Sequence, residues 1–166
     1  MDWFRPLKAA GAAALLACLP WAASQAATTT ATFTVTADVQ TTCNITAQNL
    51  NFGAYTGVQL DSTTTLTVTC SNGVPWTIGL NAGTSPGATV STRKMTGPGA
   101  DLLPYNLYED AGHTINWDNT GGAGVLSGTG AGSGTPQPET VYGRIPAGAF
   151  VGPGAYSDTI TATLTF

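Results

Sequence analysis

The chain has 166 residues, only 8% of them are charged, and its formal net charge is −4. After residue 26 the only basic side chains are Arg93, Lys94 and Arg144, which cannot form a positive patch, so nucleic acid and anionic lipid are excluded as partners. The length suits a single domain with one hydrophobic core.

The first 26 residues have the pattern of a secretory signal peptide. Arg5 and Lys8 precede an apolar run over 9–19, and the small residues Ser24 and Ala26 follow. The run is too short to span a membrane, which takes about 20 apolar residues. We therefore expect cleavage after Ala26 and export through the periplasm to the cell surface.

The rest of the chain alternates apolar and polar residues in short segments, which predicts antiparallel strands. The first predicted strand, 31–39, places Phe33, Val35, Ala37 and Val39 on one face. Further strands are predicted over 43–47, 50–52, 66–70, 76–80, 90–95, 103–108 and 141–145, and a last one over 159–166, where Ile160, Ala162, Leu164 and Phe166 share a face. The pattern indicates an all-β antiparallel sandwich.

Glycine separates these segments. Ser71-Asn72-Gly73 lies between two predicted strands and reads as a tight turn. The stretch Gly121–Pro138 is rich in glycine and has no alternation, which predicts a mobile surface loop.

Two of the three cysteines lie outside the expected signal peptide, which contains Cys18. An exported protein meets an oxidising compartment, so we expect a disulfide between Cys43 and Cys70.

No constellation for catalysis is evident, so we expect no enzyme activity and no cofactor. His113 could form a weak metal site with Asp110 and Asp118, but a solvated loop histidine is the simpler interpretation.

Three aromatic residues leave a sugar-binding role open. Trp117, Tyr105 and Tyr108 could form a stacking surface, although such residues more often pack half-buried with a hydrogen-bonded tip.

The two terminal strands suggest assembly. Residues 31–39 could reach about 30 Å when extended and need a partner, either inside their own domain or in another molecule. Alternation continues to Phe166, so we expect a sandwich that lacks a closing strand and exposes an apolar groove. An unpaired strand at one end and a missing strand at the other would permit head-to-tail polymerisation.

Several blocks, in order, resemble one known family. They are Leu50-Asn51-Phe52-Gly53-Ala54-Tyr55, Leu103-Pro104-Tyr105-Asn106-Leu107-Tyr108-Glu109-Asp110, Val141-Tyr142-Gly143-Arg144-Ile145-Pro146 and Gly154-Ala155-Tyr156-Ser157-Asp158-Thr159, together with the positions of Cys43 and Cys70. With these blocks the chain resembles the spore coat protein U domain family, whose members form subunits of archaic chaperone–usher pili. One departure is Trp117-Asp118, where the family often has glycine after tryptophan.

The resemblance implies an incomplete immunoglobulin-like sandwich over 41–166, preceded by a donor-strand extension over 27–40. It implies that Phe33, Val35, Ala37 and Val39 form the donor face, and that Ile160, Ala162, Leu164 and Phe166 border the acceptor groove. The implied partners are a periplasmic chaperone, an outer-membrane usher and neighbouring pilin subunits, with a role in adhesion or biofilm formation. A coat protein of a spore or cell, or a carbohydrate-binding adhesin module, remains an alternative.

Overall fold

Strands form where the sequence alternates. The structure is a computed structural model that describes residues 25–121, 124–132 and 134–166, so residues 1–24 of the expected signal peptide lie outside it. The strands of the described part are β1 Cys43–Ala47, β2 Leu60–Cys70, β3 Pro75–Leu80, β4 Arg93–Thr96, β5 Leu102–Tyr108, β6 Leu126–Thr129, β7 Gln137–Ile145 and β8 Ala162–Thr165. A 3-10 turn, Pro98–Ala100, precedes β5.

The strands form two antiparallel sheets. One sheet has the order β1-β2-β7-β5-β4, and the other has the order β6-β3-β8. Their facing sides supply the core, which consists of Leu66, Val68, Cys70, Val74, Trp76, Ile78, Leu80, Leu103, Tyr105, Leu107, Trp117, Val141 and Ile145. The fold is thus an immunoglobulin-like β-sandwich: alternation predicts the antiparallel sandwich, and the family resemblance implies its immunoglobulin-like type.

The tight turn over 71–73 is confirmed. Gly73 has a φ of 74°, a conformation that glycine adopts without strain, and the amide of Val74 donates to the carbonyl oxygen of Ser71 at 3.3 Å. The turn carries the chain from β2 in one sheet to β3 in the other, so it is not the loop of a hairpin.

The prediction of a patternless loop over 121–138 is wrong, because β6 lies inside it and β7 begins at Gln137. β6 pairs with β3, and Gly128 lies opposite Trp76. A Cβ atom at Gly128 would overlap the indole ring of Trp76. The glycine that hides the strand in the sequence is therefore required by the packing.

The predicted strand over 50–52 is also not formed. The segment instead crosses the inner face of the larger sheet, where Leu50 and Phe52 lie against Gly143 of β7. A Cβ atom at Gly143 would lie 2.6 Å from Leu50 Cδ2, so the bare backbone of β7 admits the two side chains.

The N-terminal segment belongs to no described helix or strand. Residues 25–42 carry no regular structure, so the strand predicted over 31–39 is not paired. Phe33 and Val35 are 87% and 81% exposed, and Val39 is 91% exposed. In the described part of the chain, no helix has the length and apolarity needed to cross a membrane.

Candidate functional site

β8 lies at an edge of the smaller sheet. It pairs with β3 on one side, from Thr77 opposite Thr165 to Leu80 opposite Ala162, and no described strand pairs with its other side. An edge strand presents unpaired N–H and C=O groups, which can accept another strand.

β1 lies at an edge of the larger sheet. It pairs only with β2, and Cys43 lies opposite Cys70 at the first position of that register. The two cysteines form the expected disulfide, with their Cα atoms 4.1 Å apart. The bond fastens a five-residue edge strand that has only one ladder to hold it.

The edges of β1 and β8 are adjacent across the two layers. The irregular segments that follow β1 and precede β8, 50–57 and 149–156, line a cleft of about 730 Å³, which no residue of β1 or β8 lines. Its floor is apolar and includes Met95, Leu103 and Ile145. We call the whole feature, bounded by 43–57 on one side and 149–166 on the other, the inter-sheet groove.

Tyr55 fastens the two walls of the groove together. Its hydroxyl donates to the carbonyl oxygen of Pro146 at 2.7 Å and accepts from the amide of Ala149 at 3.1 Å. The amide of Gly148 donates to the carbonyl oxygen of Gly57 at 2.9 Å. These bonds join residues 55–57 to the segment 146–149 at one end of the cleft.

The opposite wall is fastened to β4 and to the 3-10 turn. The hydroxyl of Tyr156 donates to the carbonyl oxygen of Gly152 at 2.7 Å, and the amide of Gly152 donates to Asp101 Oδ2 at 2.7 Å. Thr96 and Ser157 exchange backbone hydrogen bonds of 2.9 and 3.1 Å. The wall is irregular in outline but fixed in position.

The residues predicted to border an acceptor groove lie in β8 and in the residues on either side of it. Ile160, Ala162 and Leu164 are partly buried and pack against the core, whereas the threonines between them are exposed. Phe166 is 57% exposed. The predicted donor residues lie in the segment without regular structure, and three of them are among the most exposed apolar side chains described.

A buried arginine supports the core, and no pattern in the sequence indicates it. Arg93 is fully buried and donates four hydrogen bonds to carbonyl oxygens, those of Leu80, Asn81, Val90 and Trp117, at 2.6 to 2.9 Å. Burial lowers the pKa of the guanidinium, and the carbonyl dipoles stabilise its charge.

The possible metal site is not formed. Asp110 accepts hydrogen bonds from Thr114 and Ile115, chiefly the backbone amide of Ile115, and these hold the pKa of its carboxyl below the usual value. Asp118 instead accepts from Thr120. The described residues contain no group of three His, Cys, Asp or Glu side chains that could hold a metal ion.

His113 is not a solvated loop histidine either. Its ring packs edge-on against Tyr108 and Tyr142, with centroids 5.0 and 6.2 Å apart. Arg144 Nη2 lies 3.0 Å from its Nδ1.

The sugar-stacking surface drawn from Trp117, Tyr105 and Tyr108 is wrong for two of its members. Trp117 is fully buried, and its Nε1 donates to the carbonyl oxygen of Ile78 at 2.8 Å. Tyr105 is 4% exposed and donates to Asp158 Oδ2 at 2.7 Å. Both are core residues with a satisfied polar tip.

The comparisons with known proteins agree with this architecture. Protein U of Myxococcus xanthus is 38% identical over an alignment of 172 positions that covers 93% of each chain. A solved structure, the CsuC–CsuE chaperone–tip adhesion subunit pre-assembly complex from the archaic chaperone–usher Csu pili of Acinetobacter baumannii, contains a chain that matches with a TM-score of 0.59 and 26% identity. The match covers 77% of this chain but only 40% of that one.

A family model extends the likeness to nearly the whole sequence after the expected signal peptide. The model described as Spore Coat Protein U domain matches residues 29–163. The chain belongs to the Spore Coat Protein U domain family.

Proposed function

We propose that the chain is a structural subunit of a surface pilus that polymerises by donor-strand exchange. In this proposal, residues 27–40 of one subunit enter the inter-sheet groove of the next and pair with the free edge of β8. The observation that carries the proposal is the coexistence of an unpaired β8 edge and an exposed apolar segment in one chain. Strand addition to a free sheet edge is a recurrent mode of protein association.

The donor segment has the chemistry that such a groove requires. Alternation puts Phe33, Val35, Ala37 and Val39 on one face and threonine or aspartate on the other. The apolar face can cover the floor of the groove while the polar face stays in water. Burial of each large apolar side chain would stabilise the contact by about 1.5 to 3 kcal/mol.

Head-to-tail association gives a filament. The donor segment and the groove are different surfaces of the same chain, so the contact is heterologous and each addition leaves a new groove open. The length of the filament is then limited by the number of available subunits, because no ring closes.

An open groove also explains why a chaperone and an usher are expected as partners. Before a neighbour arrives, the apolar floor and the unpaired edge of β8 would favour aggregation. We propose that a periplasmic chaperone fills the groove after export and that an outer-membrane usher exchanges it for the next subunit. The matched Csu chain was solved in a pre-assembly complex with a chaperone, which supports this part of the proposal.

The test compares substitutions on the two faces of the donor segment. In the full exported chain, Phe33→Asp with Val35→Asp should abolish filaments in electron microscopy and in sedimentation. The matched control, Thr34→Asp, adds charge to the same segment on the polar face and should still polymerise. Equal assembly by the two variants would refute donor-strand exchange.

A coat protein is the second candidate, favoured by the description of the family as a spore coat domain. Such a protein would have the same fold but would deposit as a layer. Immunogold electron microscopy separates the two functions, since thin fibres leaving the cell support a pilus and a continuous surface layer supports a coat. We propose adhesion or biofilm formation as the role of the fibre.

A further inference from the structure

The outer face of the larger sheet carries a cluster that the proposed polymerisation does not use. Tyr108 of β5 and Tyr142 of β7 lie directly opposite each other in the register, and the residues beside Tyr142, Val141 and Gly143, are buried on the inner side. Both tyrosines are half-buried. Short hydroxyl side chains occupy much of the neighbouring part of this face, including Thr65 and Thr140.

The cluster is held rigidly. Arg144 makes two hydrogen bonds of 2.7 Å to the carboxylate of Asp61, and its Nη2 also lies 3.0 Å from His113 Nδ1. His113 has a φ of 56°, a left-handed conformation that is unfavourable for a non-glycine residue, so surrounding contacts keep its ring against the two tyrosines. Side chains fixed in advance lose little entropy when a ligand binds.

The hydrogen bonds fix the tautomer of His113. A guanidinium can only donate, so Nδ1 of His113 must accept and its Nε2 must carry the proton. That Nε2 is buried and has no hydrogen-bond partner among the described residues. The same is true of Asn116 Oδ1, whose residue forms a β-bridge with Tyr108. Both atoms are closed off from solvent, so His113 affects a ligand only through the tyrosine rings that it positions.

The charge of the cluster selects the class of ligand. Asp61 and Arg144 neutralise each other and form an ion pair. The Asp61 carboxyl has a lowered pKa because Arg144 hydrogen-bonds it, so the pair persists at neutral pH. With Asp110 in the same turn as His113 and a chain net charge of −4, this face does not favour a polyanion.

We propose that this cluster, formed by Asp61, Tyr108, His113, Asn116, Tyr142 and Arg144, binds a neutral saccharide chain. Sugar hydroxyls both donate and accept, so a glycan lying along the tyrosine rings can hydrogen-bond the Asp61–Arg144 pair, whose side chains are 41% and 29% exposed. The amphipathic tyrosines supply the apolar contact for the sugar ring. The cluster lies on a sheet face outside the inter-sheet groove, so a polymer would display one copy per subunit and bind through avidity.

The test measures binding of the full exported chain to insoluble cellulose, chitin and yeast mannan, with dextran sulfate beads as the anionic probe. We expect retention on at least one neutral matrix, and at least a tenfold loss in Tyr142→Ala and in His113→Ala. The matched control, Thr65→Ala, changes the same face outside the cluster and should bind like the parent chain.

Two results would overturn the proposal: retention on none of the neutral matrices, or retention that both variants leave unchanged. Retention on dextran sulfate alone would also overturn it. Circular dichroism of each variant shows whether the fold is kept, and Tyr142→Phe, which removes only a hydroxyl, should retain binding if the ring is what matters. The proposal depends on polymerisation only for avidity, and the assembly-defective Phe33→Asp, Val35→Asp variant should still bind, more weakly.

Discussion

Arg93 Nη2 donates to the carbonyl oxygen of Trp117 at 2.6 Å. Trp117 in turn donates from Nε1 to the carbonyl oxygen of Ile78 in β3. A single buried cation thus joins β4 of one sheet to β3 of the other through carbonyl groups that point into the core. Hydrogen bonds therefore join the two sheets on this side of the sandwich, whereas the edges of β1 and β8 at the inter-sheet groove are unpaired in the described part of the chain.

Replacement of Arg93 should be among the most destabilising changes in the protein. Arg93→Met removes a donor from four carbonyl oxygens, of which only that of Val90 keeps another donor among the described side chains, Asn116 Nδ2. We therefore expect the free energy of unfolding to fall by at least about 3 kcal/mol. Arg93→Lys keeps the charge but loses the planar guanidinium with its several donors, so it should lower the free energy of unfolding by a smaller amount. Urea unfolding measures both. Lys94→Met, on the next residue, should change stability by less than about 0.5 kcal/mol; a similar cost at both positions would contradict the role assigned to Arg93.

Tyr105 should make the fold sensitive to alkali. Burial raises its pKa above the ordinary value of 10.0, and the hydrogen bond to Asp158 and that carboxylate's charge raise it further. Since the folded pKa exceeds the unfolded one, its contribution is complete below about pH 10 and is lost as the pH rises above it. Unfolding midpoints in urea from pH 8 to pH 11 should therefore fall less steeply in Tyr105→Phe than in the parent chain. If the urea midpoint fell equally steeply with pH in both chains, Tyr105 would not be the cause of the loss of stability in alkali.

The disulfide should stabilise the domain and the wall of the groove together. Cys43 and Cys70 are 27 positions apart, and closing a loop of this length contributes about 3 to 4 kcal/mol in the chain-entropy model. The double substitution to serine should lower the free energy of unfolding by about that amount. Hydrogen exchange should also rise in β1 more than in β7, because β1 has a ladder on one side only. Unchanged protection of β1 would contradict this.

Gly128 should tolerate no side chain. A Cβ atom there would overlap the Trp76 indole, so Gly128→Ala should cost about 1 to 3 kcal/mol through displacement of the ring. Ser127→Ala, at the neighbouring exposed position, is the control and should be nearly neutral. Urea unfolding with tryptophan fluorescence reports both stability and the environment of the indole.

Much of the regular fold could be predicted from alternation. The segments of β1, β3 and β8 alternate in the sequence, because each buries one face and wets the other. β5 and β7 alternate in burial but also carry apolar or aromatic residues such as Leu102 and Tyr142 on the outer face. β6 could not be found in this way. Its Gly128 is selected by the size of Trp76, a neighbour distant in sequence, and the same glycine erases the pattern.

Two features of the site also depend on distant contacts. The sequence around Leu50 and Phe52 resembles a strand, but these side chains instead pack across the sheet in the space that Gly143 leaves free. Arg93 looks like a surface residue until four carbonyl groups from three parts of the chain converge on it. The cysteine pair and the apolar stripe of residues 33–39 could be recognised in advance, because each is a local pattern.

The central claim is that the groove lacks a strand that residues 28–40 can supply. The most direct test is urea unfolding of residues 41–166 alone and of the same residues with 28–40 attached after Phe166 through a flexible glycine–serine linker. A third chain carries Phe33→Asp and Val35→Asp in the attached segment as the control. We predict that the attached native segment gives a monomer more stable by several kcal/mol, while the other two chains are marginal or aggregate. Equal stability of all three would mean that the sandwich is already complete, and donor-strand polymerisation would have to be abandoned.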